Sequence, residues 1–210
     1  MAASTYLYHI THLHNLAMII ARGGLCCQAT TDSEQLTRVS IGYQDLKDRR
    51  ARRQVPVAPG GVLTDYVPWY FAPRSPMLFV INKGRVAGYN EGQNPVIYLV
   101  TSTERVRDAG LPFVFTDGHA YMQFSEFYTD LGQLNNVDFP LMGEKYWNDT
   151  PTDNDRERRR SAEFLIHHQA PWSLIGAIGV INQEVADQVT ALLPSGSIEL
   201  RVIVRREWYY

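Results

Sequence analysis

The chain of 210 residues lacks the short signatures that mark most nucleotide-handling and hydrolytic enzymes. No G-x-G-x-x-G follows a strand and no G-x-x-x-x-G-K-[ST] occurs, so both standard phosphate-cradling loops are absent. No G-x-S-x-G elbow is present either. Cysteine is scarce: Cys26 and Cys27 are adjacent, neighbours rarely bond each other, and two thiols do not make a zinc site. Long hydrophobic runs are missing. The longest nearly apolar stretches, residues 16–21 and 174–181, fall far short of the roughly 20 residues that span a bilayer, so no membrane segment is expected. The first residues show no basic region followed by an apolar core, so no secretory signal is visible. These absences predict a reduced cytoplasmic protein without structural metal. Net charge is −2, which leaves bulk charge silent about nucleic acid. With 45% hydrophobic and 20% charged residues the chain is neither disordered, collagenous nor low-complexity, and its length predicts one domain over residues 1–210.

What is present is local. Lys47, Arg49, Arg50, Arg52 and Arg53 form one basic cluster, and Arg156, Arg158, Arg159 and Arg160 form another. Each is either a solvated surface run or a phosphate-binding patch. Residues 6–10 read as a strand. Thr11 is positioned to cap a helix with Leu13, Leu16, Ala17 and Ile20 on one face, stopped by Gly23-Gly24. Residues 40–53 read as a basic surface helix. Prolines on both sides confine residues 69–71 to an edge-like strand, and residues 77–81 and 96–100 are apolar runs of strand length. Ser102 or Thr103 opens a helix ending at Gly110. Asp117-Gly118 is placed to turn a hairpin between residues 113–115 and 121–124, with Ser125 capping a further helix. Residues 143–160 read as a polar loop. A strand over 162–166 puts Ala162, Phe164 and Ile166 on one face and Glu163 and Leu165 on the other. Asn182 caps a helix carrying Val185, Val189, Leu192 and Leu193, and residues 198–204 form a final strand. Strands outnumber helices without regular alternation, which favours an α+β fold.

Six histidines raise the question of a metal, but the spacings do not suit one. His12 and His14, two apart on an expected helix, point about 200° apart, and His167 and His168 on a strand end face opposite sides. Three elements carry chemistry. His9 alternates away from Tyr8 and Ile10 at a strand-to-helix junction, facing either the core or a cleft. Asp65, Tyr66, Trp69, Tyr70, Phe71, Arg74 and Met77 gather aromatics beside an arginine, as an aromatic core strand or as a platform for a flat ring. Glu163, among apolar strand neighbours after an arginine-rich stretch, is either an arginine's partner or a catalytic carboxylate in a partly dry site.

Tyr8-His9-Ile10-Thr11, Gly23-Gly24-Leu25, Asp48-Arg49-Arg50-Ala51-Arg52, the run from Pro59 through Thr64-Asp65-Tyr66-Val67-Pro68-Trp69-Tyr70-Phe71-Ala72-Pro73-Arg74 to Met77, and Ala162-Glu163-Phe164 occur in this order. Together they resemble the DarT family of DNA ADP-ribosyltransferase toxins over nearly the whole chain. The central run is highly specific, although the family usually has phenylalanine where this chain has Trp69. The resemblance implies an ADP-ribosyltransferase fold, a split mixed sheet with flanking helices and NAD in its cleft. It also implies transfer of ADP-ribose to thymine N3 in single-stranded DNA, reversed by the macrodomain antitoxin DarG.

By the same resemblance Glu163 faces the oxocarbenium-like transition state. A mildly raised pKa would also let it take the thymine N3 proton. Arg50 is the expected active-site arginine, with Arg49 and Arg53 as alternates. His9, Thr11, Gly24 and Leu25 are expected at the nicotinamide end of NAD, with Phe71 and Tyr70 stacking on it. Tyr43, Met77, His119 and Arg156 are expected to contact DNA. Competing readings are a transferase acting on protein or RNA, a non-catalytic binder of single-stranded nucleic acid, and a glycoside hydrolase pairing Glu126 with Glu163.

Overall fold

The computed structural model describes residues 5–37, 39–194 and 200–210. In chain order it contains β1 (Tyr6–His12), α1 (Leu16–Ala21), β2 (Gly24–Cys26), α2 (Gln28–Ser33), α3 (Gln44–Arg50), β3 (Tyr66–Tyr70), α4 (Pro76–Asn82), β4 (Val96–Ser102), α5 (Thr103–Asp108) and β5 (Phe113–Thr116). There follow β6 (Phe127–Tyr128), α6 (Phe139–Met142), α7 (Arg156–Arg160), β7 (Glu163–His167), β8 (Gln169–Pro171), β9 (Ala177–Val180), α8 (Gln183–Leu192) and β10 (Arg201–Val204). Eight strands form one sheet in the order β10-β9-β4-β1-β3-β7-β5-β6, while β2 and β8 pair separately. β10 runs parallel to β9 and the other ladders are antiparallel, so the architecture is the expected α+β fold with a mixed sheet.

The sheet is split in its middle. β1 pairs with β4 along seven positions, from Tyr6↔Ser102 to His12↔Val96. Its ladder with β3 is a single registered pair, Tyr8↔Tyr70, among the described residues. This resolves the position of Pro68. A proline was expected to force an edge strand, yet β3 lies inside the sheet between β1 and β7. Proline lacks a donor, and β3 needs none toward β1 where the ladder is interrupted. There the Pro68 carbonyl accepts a hydrogen bond from His9 Nδ1 at 2.8 Å.

Period-two burial positions the functional strand. In β7, Phe164 and Ile166 enter the main core with Leu7, Leu99 and Trp69, while Leu165 packs into a second cluster with Leu63, Tyr66 and Val114. Glu163 opens the strand on the Leu165 side, its backbone N–H held by Thr116 Oγ1 at 3.1 Å. α8 begins at the Asn182 cap, as expected, with Val185 and Val189 buried and Leu192 exposed.

Several local expectations are corrected. Residues 77–81 are helical because Ser75 caps the Leu78 N–H and Pro76 occupies the first turn; capping outweighs the strand-like apolar run. Thr11 stays in β1, and His12 is the residue that caps, accepting from the His14 N–H through Nδ1; Ala17 is exposed. Asp117 opens a longer loop, accepting from the Glu126 N–H, so the hairpin partner is Phe127–Tyr128 and not residues 121–124. Ser125 starts no helix, since its hydroxyl donates to the His119 carbonyl. The polar stretch before β7 contains α7. The rings of His167 and His168 lie 3.7 Å apart instead of facing opposite sides, because His168 leaves the strand at φ 59°. The final strand is Arg201–Val204; Ile198 and Glu199 lie outside the described residues.

Candidate active site

Two adjoining cavities open beside the split. The first, about 210 Å³, is walled by the end of β1, by β2 and by the segment before α3; His9, Thr11, Gly24 and Leu25 all line it. The second, about 340 Å³, is lined by Tyr43, Tyr70, Met77, His119, Ser161 and Glu163. Six residues belong to both walls: Gln28, Gly42, Lys47, Arg50, Pro68 and Met77. Of these, Arg50 reaches the buried carboxylate.

Arg50 Nη1 donates to Glu163 Oε2 at 2.7 Å, and Glu163 is 3% exposed. The other oxygen, Oε1, accepts from the Ala120 backbone N–H at 3.1 Å and lies 3.2 Å from His119 Nδ1. Burial alone would push the Glu163 pKa up. The Arg50 charge and the bonds from His119 and Arg50 outweigh it and hold the carboxyl at about 2. The mildly raised pKa that would suit Glu163 to take the thymine N3 proton is not what the site provides. The carboxylate is fixed in its ionised form and is a poor proton acceptor at neutral pH.

Within the basic run Arg50 is the arginine that pairs with Glu163. Arg50 is the buried member, at the end of α3, and its Nη2 is buried with no hydrogen-bond partner among the described residues. A buried, unsatisfied donor beside two cavities is suited to an anionic or carbonyl group of a substrate. Arg49 donates to the Tyr121 hydroxyl and Arg53 to the Met122 carbonyl, so both hold the loop that presents His119. Gly24 is required on steric grounds. A Cβ there would sit 2.2 Å from the Ala170 carbonyl oxygen across the β2–β8 pair, and its φ is +146°.

Two expected contacts are placed elsewhere. Phe71 is 6% exposed and packs edge-on against Phe115, Phe139 and Phe164, so it belongs to the core; Tyr70 lines the second cavity in its stead. Arg156 pairs with Glu144 and donates to the Asn148 and Tyr146 carbonyls. Its neighbours are also engaged. Arg158 pairs with Asp155 and Asp117, Arg159 with Asp138 and Asp153, and Arg160 is 2% exposed with Nη2 on the Pro73 carbonyl. The second basic cluster is therefore a neutralised scaffold that sets α7 in front of Glu163, not an open phosphate patch. Glu126 is exposed and absent from both cavity walls, which removes the paired-carboxylate reading.

Sequence reasoning missed the Ala120 N–H on the carboxylate and the role of Asn15. Asn15 bridges 24 positions to hold the cavity wall, donating to the Val39 carbonyl and accepting from its N–H. Neither has a sequence signal, because a backbone donor carries no residue identity and the bridge is purely tertiary. Among the described residues, no helix is long and apolar enough to cross a membrane.

Comparison with known proteins gives a consistent picture. The family described as DarT, ssDNA thymidine ADP-ribosyltransferase, matches residues 8–210. A protein of Thermus sp. (strain 2.9) named DNA ADP-ribosyl transferase is 41% identical over 208 residues, covering 98% of this chain and 96% of its own length. The structure of Thermus sp. 2.9 DarT in complex with ADP-ribosylated ssDNA superposes with a TM-score of 0.91 at 40% identity, over 98% of this chain and 96% of that one. The same protein in complex with NAD+ gives a TM-score of 0.87 at 39% identity, over 98% of both chains. A Thermosipho africanus fusion of a DNA ADP-ribosyl transferase with a DNA ADP-ribosyl glycohydrolase is 25% identical over 197 residues, 91% of this chain and 46% of the fusion.

Proposed function

The chain belongs to the DarT family, and on that premise we propose that it transfers ADP-ribose from NAD+ to N3 of a thymine in single-stranded DNA, releasing nicotinamide. The observation that carries the reading is the meeting of two cavities at one buried Arg50–Glu163 pair. A transferase must hold donor and acceptor on either side of one reacting carbon, and this arrangement supplies both compartments.

The residues present suit NAD+ as substrate. The unsatisfied Arg50 Nη2 offers a donor between the cavities, and the first cavity is otherwise largely apolar around His9, Thr11, Gly24 and Leu25. Those four would hold the nicotinamide end. Cleavage of the glycosidic bond leaves positive charge on the ribose. Glu163, kept ionised by Arg50 in a nearly dry site, opposes that charge where the local dielectric is low, and its orientation is fixed in advance by two donors, Arg50 and the Ala120 N–H. Arg50 thus orients the carboxylate with one nitrogen and meets substrate with the other. Tyr43, Tyr70, Met77 and His119 form the acceptor compartment.

Thymine N3 is buried between paired bases in a duplex, so an enzyme aimed at it works on a free base or flips one out. The acceptor cavity of about 340 Å³, with the exposed Arg49 on α3 and the exposed Arg52 just after it, supports a single-stranded acceptor. DNA modification of this kind makes the chain a toxin acting in the cytoplasm. The fused transferase and glycohydrolase of the relative support a dedicated eraser, the macrodomain antitoxin DarG, as its partner. The test is incubation with NAD+ and two short oligonucleotides, one containing thymine and one lacking it, followed by intact-mass measurement. A gain of one ADP-ribose confined to the thymine strand is expected. Modification of protein, of RNA alone or of neither strand overturns the reading.

A further inference from the structure

Transfer to N3 leaves a proton to be removed, and the groups closest to the carboxylate differ in their capacity to take it. Glu163 is held ionised at about 2 and is a weak base. Arg50 is a guanidinium with no lone pair to offer. Burial pushes Tyr70 further from ionisation. His119 is different. Its backbone is anchored from both sides, the N–H donating to the Arg158 carbonyl at 2.9 Å and the carbonyl accepting from the Ser125 hydroxyl at 2.8 Å. Its ring packs edge-on against Tyr121, 5.1 Å between centroids, and Tyr121 is in turn held by Arg49. Nδ1 is buried with no formed hydrogen bond among the described residues, and its nearest acceptor is Glu163 Oε1 at 3.2 Å, close enough for a small ring rotation to make the bond. Nε2 has no hydrogen-bond partner among the described residues, and the ring lines the acceptor cavity.

We infer that His119 is the general base of the transfer, with Glu163 fixing its tautomer. A carboxylate facing Nδ1 favours the form protonated there, which leaves the Nε2 lone pair free; carboxylate-oriented histidines work in this way in hydrolases. The inference rests on the thymine-N3 reading above. In the step, the bond between ribose C1′ and the nicotinamide nitrogen breaks and nicotinamide leaves with the electron pair. Thymine N3 forms a bond to the same carbon, and the N3 proton passes to His119 Nε2. The resulting imidazolium is paired with Glu163 until water takes the proton on product release. Glu163 has capacity for both duties. A carboxylate offers about four lone-pair sites. Arg50 and Ala120 occupy two, leaving room for His119 Nδ1, 3.2 Å from Oε1, and for a ribose hydroxyl. This also explains why a group with so low a pKa sits where a base is needed: it holds the base and opposes charge without itself exchanging protons.

The test uses acceptors of different N3 acidity. Fluorine at C5 withdraws electrons and makes N3 of uracil more acidic, so it lessens the need for a base. Wild type, His119→Ala and His119→Gln are compared on thymine, uracil and 5-fluorouracil placed at one position of the same oligonucleotide, with folding checked by urea titration. On thymine and uracil, loss of the base lowers kcat by about 10²–10⁴-fold with a smaller change in KM for the oligonucleotide. On 5-fluorouracil the same variants recover a large part of that loss, and added imidazole raises the rate of His119→Ala. An equal loss on uracil and 5-fluorouracil, or a loss confined to KM, overturns the base role and leaves His119 a positioning residue. A wild-type chain that modifies none of the three overturns the N3 reading itself, an outcome separate from a failure of His119 alone.

Discussion

Replacing Glu163 by glutamine should change how stability depends on pH, by an amount the site geometry sets. The side chain is 4% exposed and its carboxyl is held at about 2 against an ordinary 4.5, chiefly by the Arg50 charge acting against burial. That difference corresponds to about 3 kcal/mol favouring the folded state when the carboxylate is ionised. Because the folded value is depressed, the contribution is present above the ordinary glutamate value and is lost as pH falls through about 2. From about pH 5 to about pH 3 it should decline by about 2 kcal/mol. Glutamine keeps the size and cannot titrate. The assay is urea unfolding of wild type and Glu163→Gln at steps across this range. Other carboxylates titrate in both proteins and cancel in the difference. The wild-type advantage over the variant should shrink by about 2 kcal/mol toward the acid end. A difference that stays constant with pH would refute the claim that Glu163 is an ionised, buried partner of Arg50.

Arg50→Ala should lower kcat by about 10²–10³-fold while leaving the dissociation constant for a single-stranded oligonucleotide nearly unchanged, since it acts on the charge that develops at the reacting centre; fluorescence-anisotropy binding beside turnover separates the two. Gly24→Ala should cost more than about 2 kcal/mol in urea unfolding, because the added Cβ collides with the Ala170 carbonyl at an unfavourable φ. Arg159→Ala should remove about 1 kcal/mol of stability by freeing Asp138 and Asp153. Oligonucleotide affinity should change little, and a selective loss of affinity would restore the phosphate-patch reading of that cluster.

Much of the candidate site is legible because its residues sit in an ordered and unusual string. The run from Pro59 to Met77 and the separate Ala162-Glu163-Phe164 point to a strand and a carboxylate, and the structure brings Tyr70 and Glu163 to one cavity. What failed has common causes. Residues 77–81 look like a strand by composition, but a serine cap and a proline at the first turn decide for helix. Pro68 looks like an edge signal, but the sheet is split at that point, and a split is a tertiary fact. Phe71 stacking is an expectation of the resemblance, and the residues alone leave an aromatic core strand equally open, which is where Phe71 lies. Arg156, Arg158 and Arg159 looked like a phosphate patch because their acidic partners, Glu144, Asp117, Asp138, Asp153 and Asp155, are spread over more than one loop. The direction of the Glu163 pKa is hidden from the sequence for the same reason. Burial was foreseeable from the apolar strand, whereas pairing with Arg50, 113 positions away, was not.

The central claim is that the Arg50–Glu163 pair couples cleavage of NAD+ to modification of a DNA base. It is tested most directly by counting, in one reaction, nicotinamide released and ADP-ribose bound to a thymine-containing single strand, for wild type and for folded Glu163→Gln. Wild type should release one nicotinamide for each ADP-ribose attached, and the variant should do neither. A folded Glu163→Gln chain that modifies DNA at the wild-type rate, or a wild type that releases nicotinamide without marking the strand, would contradict the account.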